Sequence, residues 1–142
     1  MEDFLEKISY LYPVSNERAT LGNPIVVFTF DELPCNYVIY FKAVLFELFI
    51  SKKYTINIKL ENEVGRTLHN SDVNFKLEEE NLSRQPKEDR ASSTVQIEMP
   101  LSVTEVGRYR AVFMLKDLNG TGLDSISTYI EFELRGDYAH GE

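Results

Sequence analysis

The sequence predicts an all-β domain, with two sheets packed as a sandwich of about seven or eight strands. Three observations carry this expectation. Apolar and polar residues alternate with period two through most of the chain after residue 54. Clusters of Gly, Asn, Asp and Pro separate the alternating runs. No stretch carries the pattern of a long helix.

The elements follow in chain order. Phe4, Ile8 and Leu11 have helical spacing, whereas Ile8, Tyr10 and Tyr12 alternate as in a strand; Pro13 is expected to end either one. Residues 25–30 form an apolar, β-branched and aromatic run that suits a strand buried on both faces. Residues 37–41 read as a strand, and residues 43–49 stay open between a continuing strand and one short helix. The cleanest alternation runs from Tyr54 to Glu61, with Tyr54, Ile56, Ile58 and Leu60 on one face and Thr55, Asn57, Lys59 and Glu61 on the other. Val73, Phe75 and Leu77 mark the next strand. Val95, Ile97 and Met99 mark another, which Pro100 is expected to stop. Tyr109, Ala111, Phe113 and Leu115, then Ile126, Thr128, Ile130, Phe132 and Leu134, complete the series. Residues 78–93 read as a polar, flexible loop, and residues 135–142 as a short tail.

Bulk properties bound the partners. At 142 residues the chain is expected to be one domain over 1–142. A chain of this length buries roughly 68% of the surface its unfolded form exposes, enough for one ordinary core. Fifteen basic residues against 23 acidic ones give a net charge of −8, which disfavours contact with phosphate backbones and favours solubility or a basic partner. The single cysteine, Cys35, has no partner for an internal disulfide. The first residues lack a basic region followed by an apolar one. The longest apolar stretch, residues 37–50, is too short for a bilayer and contains Lys42 and Glu47. The expectation is a cytoplasmic protein with no membrane and no direct nucleic-acid partner.

Two segments resemble parts of immunoglobulin-like sandwiches. One is the alternating strand from Tyr54 closed by Asn62, Glu63, Val64 and Gly65, a form similar to small uncharacterised bacterial and phage single-domain proteins. The other runs from Met99 to Phe113, where Gly107, Arg108 and Tyr109 open a strand as at the start of the penultimate strand of such folds. The resemblance implies a two-sheet immunoglobulin-like β-sandwich. It also implies a structural role for Tyr109, packed at the corner between sheets with its hydroxyl on the backbone. The tryptophan and cysteine pair of antibody domains are missing, so no receptor function comes with it.

The chain is expected to carry no catalytic residues, no metal site and no cofactor. Cys35 has only His69 and His140 as imidazole partners in the chain, and no local motif joins them. Asp117, Asn119 and Thr121 echo the start of a calcium loop, but Asp124 and Thr128 break the pattern at the eighth and twelfth places. The same letters suit a hairpin turn. Glu78, Glu79 and Glu80 read as a solvated strand end, and Arg135-Gly136-Asp137 as a chance tripeptide. Two candidate surfaces remain. Residues 37–50 hold more apolar side chains than one alternating face needs, which marks Phe46, Leu48, Phe49 and Ile50 as a protein-contact candidate. Asp117, Asn119 and Asp124 are the loop-binding candidate. The function expected is a non-catalytic protein-interaction module, an acidic adaptor or inhibitor of bacterial or phage type with a protein partner or a second copy. The alternatives are a small-ligand or carbohydrate-binding sandwich and an enzyme using dispersed carboxylates.

Overall fold

The computed structural model describes residues 4–14, 25–78 and 89–136. These form eight strands: β1 (Lys7–Val14), β2 (Val27–Phe30), β3 (Cys35–Phe49), β4 (Tyr54–Asn62), β5 (Thr67–Phe75), β6 (Arg90–Val103), β7 (Gly107–Asp117) and β8 (Gly122–Leu134). One sheet has the order β1-β3-β6 and the other β2-β8-β7-β4-β5. All pairs are antiparallel except β2 with β8, which is parallel.

This is immunoglobulin-like connectivity. Strands β1, β3 and β6 take the A, B and E places, and β2, β8, β7, β4 and β5 take the A′, G, F, C and C′ places. The chain changes sheets between β1 and β2, which is why β2 lies parallel to β8.

Alternation explains the packing. Tyr54, Ile56, Ile58 and Leu60 of β4 and Ala111, Phe113 and Leu115 of β7 point inward and are buried. They meet Ile39, Phe41, Ala43 and Leu45 of β3 and Ile97, Met99 and Val103 of β6. The Phe41 and Phe113 rings cross the interior 5.1 Å apart. At one end Phe28 and Phe30 pack edge-on against Tyr37 and Phe132. Burying each such side chain contributes about 1.5–3 kcal/mol, so this cluster anchors the short β2.

Several expectations change. Residues 43–49 are strand, not helix. The pairing of β3 with β6 shifts between Leu45 and Leu48, where Glu47 adopts a φ of 53°. This bulge turns Leu45 and Leu48 inward three positions apart, which mimics helical spacing. A second bulge between Ile8 and Tyr10 does the same for Ile8 and Leu11, so β1 is a strand with broken alternation. Pro13 and Pro100 end nothing: they lie inside β1 and β6, both edge strands with one side free of ladder bonds. β2 is buried on one face only, with Val27 and Thr29 exposed, because the outer face of its sheet is not covered by another layer among the described residues. Strand pairing starts at Thr67, well before Val73, and Leu77 is buried beyond the end of β5. Residues 90–93 of the expected polar loop belong to β6, paired with β3. Residues 79–88 of that loop and 137–142 of the expected tail lie outside the described residues. Arg135 is tied back, its N–H donating to the Phe30 carbonyl at 2.7 Å.

Candidate functional site

The outer face of the three-stranded sheet is built on β3, its central strand. Inward residues of β3 fill the core, so Val38, Tyr40, Lys42, Val44 and Phe46 point outward. Tyr10 of β1 lies opposite Val44, and Phe46 is the next outward residue of β3. Tyr10 is 66% exposed and Phe46 41%. Tyr12, opposite Lys42, extends the same row of rings. Phe4, 69% exposed, precedes β1.

The four residues marked in the sequence as a contact surface part company here. Phe46 faces solvent. Leu48 does not: it is fully buried, because the bulge at Glu47 turns it inward, and it is a core residue. Phe49 and Ile50 are half-buried and held. The Lys52 ammonium lies 5.7 Å from the centre of the Phe49 ring and 5.4 Å from that of Tyr54. The Phe49 N–H donates to the Tyr54 hydroxyl at 2.8 Å, and that hydroxyl donates to Glu6 Oε2 at 2.8 Å. Lys52 Nζ donates to the same oxygen at 2.6 Å. Burial first, and the nearby Glu6 carboxylate, push the Tyr54 phenol well above its ordinary pKa, so it stays a neutral donor. The Ile50 N–H donates to the Asp89 carbonyl at 2.8 Å. Sequence reasoning missed Tyr10, because the bulge that exposes it cannot be read from alternation.

The loop candidate is committed to the backbone. Asp117 Oδ1 accepts the N–H groups of Asn119 at 2.9 Å and Thr121 at 3.0 Å. The Gly120 N–H donates to the Asp117 carbonyl, and Gly120 takes the positive φ of 83° that this turn requires. Asp124 Oδ2 accepts the Ile8 N–H at 2.7 Å, joining β8 to the bulge of β1. Asn119 sits exposed at the tip. Asp117 and Asp124 therefore shape the hairpin and fix its neighbour. Among the described residues no three His, Cys, Asp or Glu side chains are grouped as for a metal ion.

Tyr109 is buried against Phe132, ring centres 4.7 Å apart, and its hydroxyl donates to the Glu105 carbonyl at 2.8 Å. Burial and, second, Glu105 raise its pKa. This is the tyrosine corner of immunoglobulin-like domains.

The outer face of the five-stranded sheet gathers a group of polar side chains from three strands. Register places Glu61, Arg110 and Tyr129 side by side across β4, β7 and β8. Arg110 donates from both Nε and Nη2 to Glu61 Oε1, while Lys59 Nζ lies 3.5 Å from Oε2. The Arg110 hydrogen bonds hold the Glu61 carboxyl below its usual range. Beside them Arg108 Nε donates to Glu63 Oε1 at 3.0 Å. The row borders an open cleft of about 290 Å³, with the Tyr129 ring 66% exposed at its rim. Alternation placed Glu61 on the wet face, but only the register brings it together with Arg110 and Tyr129.

No family model matches the chain, and no curated protein matches it in sequence. Solved structures do resemble it. A glycosyl hydrolase family 2 member from Bacteroides cellulosilyticus matches over 89% of this chain and 15% of its own, with TM-score 0.58 and 9% identity. A β-glucuronidase from Bacteroides uniformis matches over 89% and 14%, with TM-score 0.58 and 12% identity. A β-galactosidase-like protein from Bacteroides fragilis matches over 87% and 17%, with TM-score 0.56 and 14% identity. The chain thus spans less than a fifth of the length of each of these proteins. At such identities the likeness shows the fold alone. Strand order, the parallel β2–β8 pair and the tyrosine corner make the chain an all-β, two-sheet immunoglobulin-like sandwich.

Proposed function

We propose that this chain is a non-catalytic interaction module that binds a larger protein through the outer face of its three-stranded sheet. The observation that carries the reading is the pair Tyr10 and Phe46, adjacent on one sheet face and both open to solvent. Large aromatic side chains are the residue types on which protein interfaces concentrate their binding energy. Two further facts support it. The chain carries a net charge of −8, which speeds association with a basic partner. The carboxylates Asp117, Asp124 and Glu61 are each tied to backbone amides or cations, an arrangement that serves structure. An acidic cytoplasmic adaptor or inhibitor fits these features.

The test is site-specific photo-crosslinking. A benzoylphenylalanine placed at Phe46 should capture one stoichiometric protein in the native host, and Tyr10→Ser should abolish the capture. A chain recovered alone, or captured equally well by the Tyr10→Ser variant, sinks the reading.

A second reading is favoured by the cleft beside Tyr129, where Arg108 and Glu63 offer donors and acceptors next to an exposed ring. The structural neighbours named above include carbohydrate-processing enzymes, so simple and oligomeric sugars are the ligands to try first. Shift perturbations confined to residues 61–65, 108–110 and 129 on adding a sugar would favour it. A flat response across a panel of sugars would remove it.

A further inference from the structure

An edge strand presents backbone donors and acceptors that another chain can pair with unless something blocks them. The two sheets have four edge strands, β1, β6, β2 and β5. Three carry a block. β1 holds Pro13 and a bulge between Ile8 and Tyr10. β6 holds Pro100. β2 is four residues long. β5 runs nine residues, from Thr67 to Phe75, with no proline, lysine or arginine; its pairing with β4 bulges at Leu68, and from His69 to Phe75 the register is regular.

The direction of its backbone follows from the turn before it. The Asn62 N–H donates to the Arg66 carbonyl at 3.0 Å. Backbone groups alternate in direction along a strand, so the even-numbered residues of β4 face β5. Their register partners His69, Ser71, Val73 and Phe75 bond to β4. Asn70, Asp72 and Asn74 therefore present their amides and carbonyls at the outer edge. Among the described residues no strand pairs with that side.

The side chains beside this edge are half satisfied. Asn57 Nδ2 donates to Asn70 Oδ1 at 2.8 Å and to Asp72 Oδ1 at 2.9 Å. Asn70 keeps its Nδ2 as a donor, and Asp72 keeps its Oδ2 as an acceptor.

We propose that β5 pairs antiparallel with β5 of a second copy, about a two-fold axis through Ser71. Each Asn70 then lies opposite the other copy's Asp72, so the outward donor meets the outward acceptor twice. Other registers lose this match. Centring the pair on Asp72 sets two carboxylates side by side, and centring it on Asn70 sets each Asp72 against Leu68. Two five-stranded sheets become one continuous sheet, and the regular edge of β5 from His69 to Phe75 is covered.

The test is sedimentation equilibrium of the full chain from about 1 to about 100 µM, the range where a modest interface shows its dissociation constant. The wild type should be a dimer at the upper end. Asn70→Asp keeps the acceptor for Asn57 and replaces only the outward donor, so it should weaken the dimer about a hundredfold by losing two hydrogen bonds to charged groups. Asp72→Asn, which replaces the outward acceptor, should weaken it about tenfold, since two matched hydrogen bonds become neutral or mismatched. The double variant exchanges donor and acceptor and should restore the dimer. Oxidised Ser71→Cys in a Cys35→Ser background should form a covalent dimer, because facing residues of this pair type lie about 4.5 Å apart at Cα, within disulfide reach. A monomer at the highest concentration overturns the proposal. So does a dimer unaffected by Asn70→Asp, a double variant that is not rescued, or a Ser71→Cys chain that does not crosslink.

Discussion

Phe46 and Leu48 stand two positions apart in β3, where strict alternation would put them on one face. The bulge at Glu47 separates them, sending Leu48 inward and leaving Phe46 outside. Truncation should report that difference. Leu48→Ala should cost about 2–5 kcal/mol, since it leaves a hole between packed sheets. Phe46→Ala should cost about 1 kcal/mol or less, as a surface change does. Urea denaturation at matched slopes measures both, and equal costs would show that the bulge does not divide them as described. Tyr109 offers a finer probe. Tyr109→Phe keeps the ring on Phe132 and removes only the hydrogen bond to Glu105. The expected loss is about 0.5–1.5 kcal/mol in the same assay. A loss well above that would mean the hydroxyl holds more than one carbonyl in place.

At the scale of the strand, bulges and edges decide what was legible beforehand. β4 and β7 are paired on both sides and face the core on one, so their alternation is unbroken and readable from Tyr54 and Tyr109 onward. β1 and β3 each insert a bulge, and one inserted residue gives Ile8 and Leu11, or Leu45 and Leu48, a helix-like spacing. Pro13 and Pro100 looked like terminators because the sequence does not say which strands will be edges. The cleft was illegible for a related reason. Glu61, Arg110 and Tyr129 come from three strands, and their meeting depends on registers set by inward residues. At the bulge of β1 the Asp124 carboxylate accepts the Ile8 N–H. Asp124→Ala should speed hydrogen exchange at Ile8 and its β1 neighbours and lower stability by about 1.5–3 kcal/mol, the range for a hydrogen bond to a charged group. Exchange at Phe113 and Ile58, in the other sheet, should change only as global stability does. If β1 exchanges no faster, Asp124 is not its tether.

For the molecule as a whole, His69 and Glu61 each contribute to how stability responds to acid. Burial holds the His69 imidazole below its ordinary value of 6.5. In the unfolded chain it binds a proton near pH 6.5, whereas the folded chain resists until lower pH. The unfolded state therefore binds more protons in that window, and stability falls as pH drops from about 6.5 through the folded value. Glu61 acts in a second, lower window. Arg110 holds its carboxyl below 4.5, so its contribution is present above 4.5 and is lost as pH falls through the lowered folded value. The stability curve should thus show two separate declines. His69→Gln should remove the upper one and leave the lower, and Arg110→Gln should shrink the lower and leave the upper. Urea midpoints from about pH 2 to about pH 8 at one fixed protein concentration measure this, since self-association would otherwise move the midpoints by mass action. A wild-type curve flat between pH 7 and pH 5 would show that His69 takes up its proton as readily folded as unfolded, and that its place on β5 costs the charged form nothing.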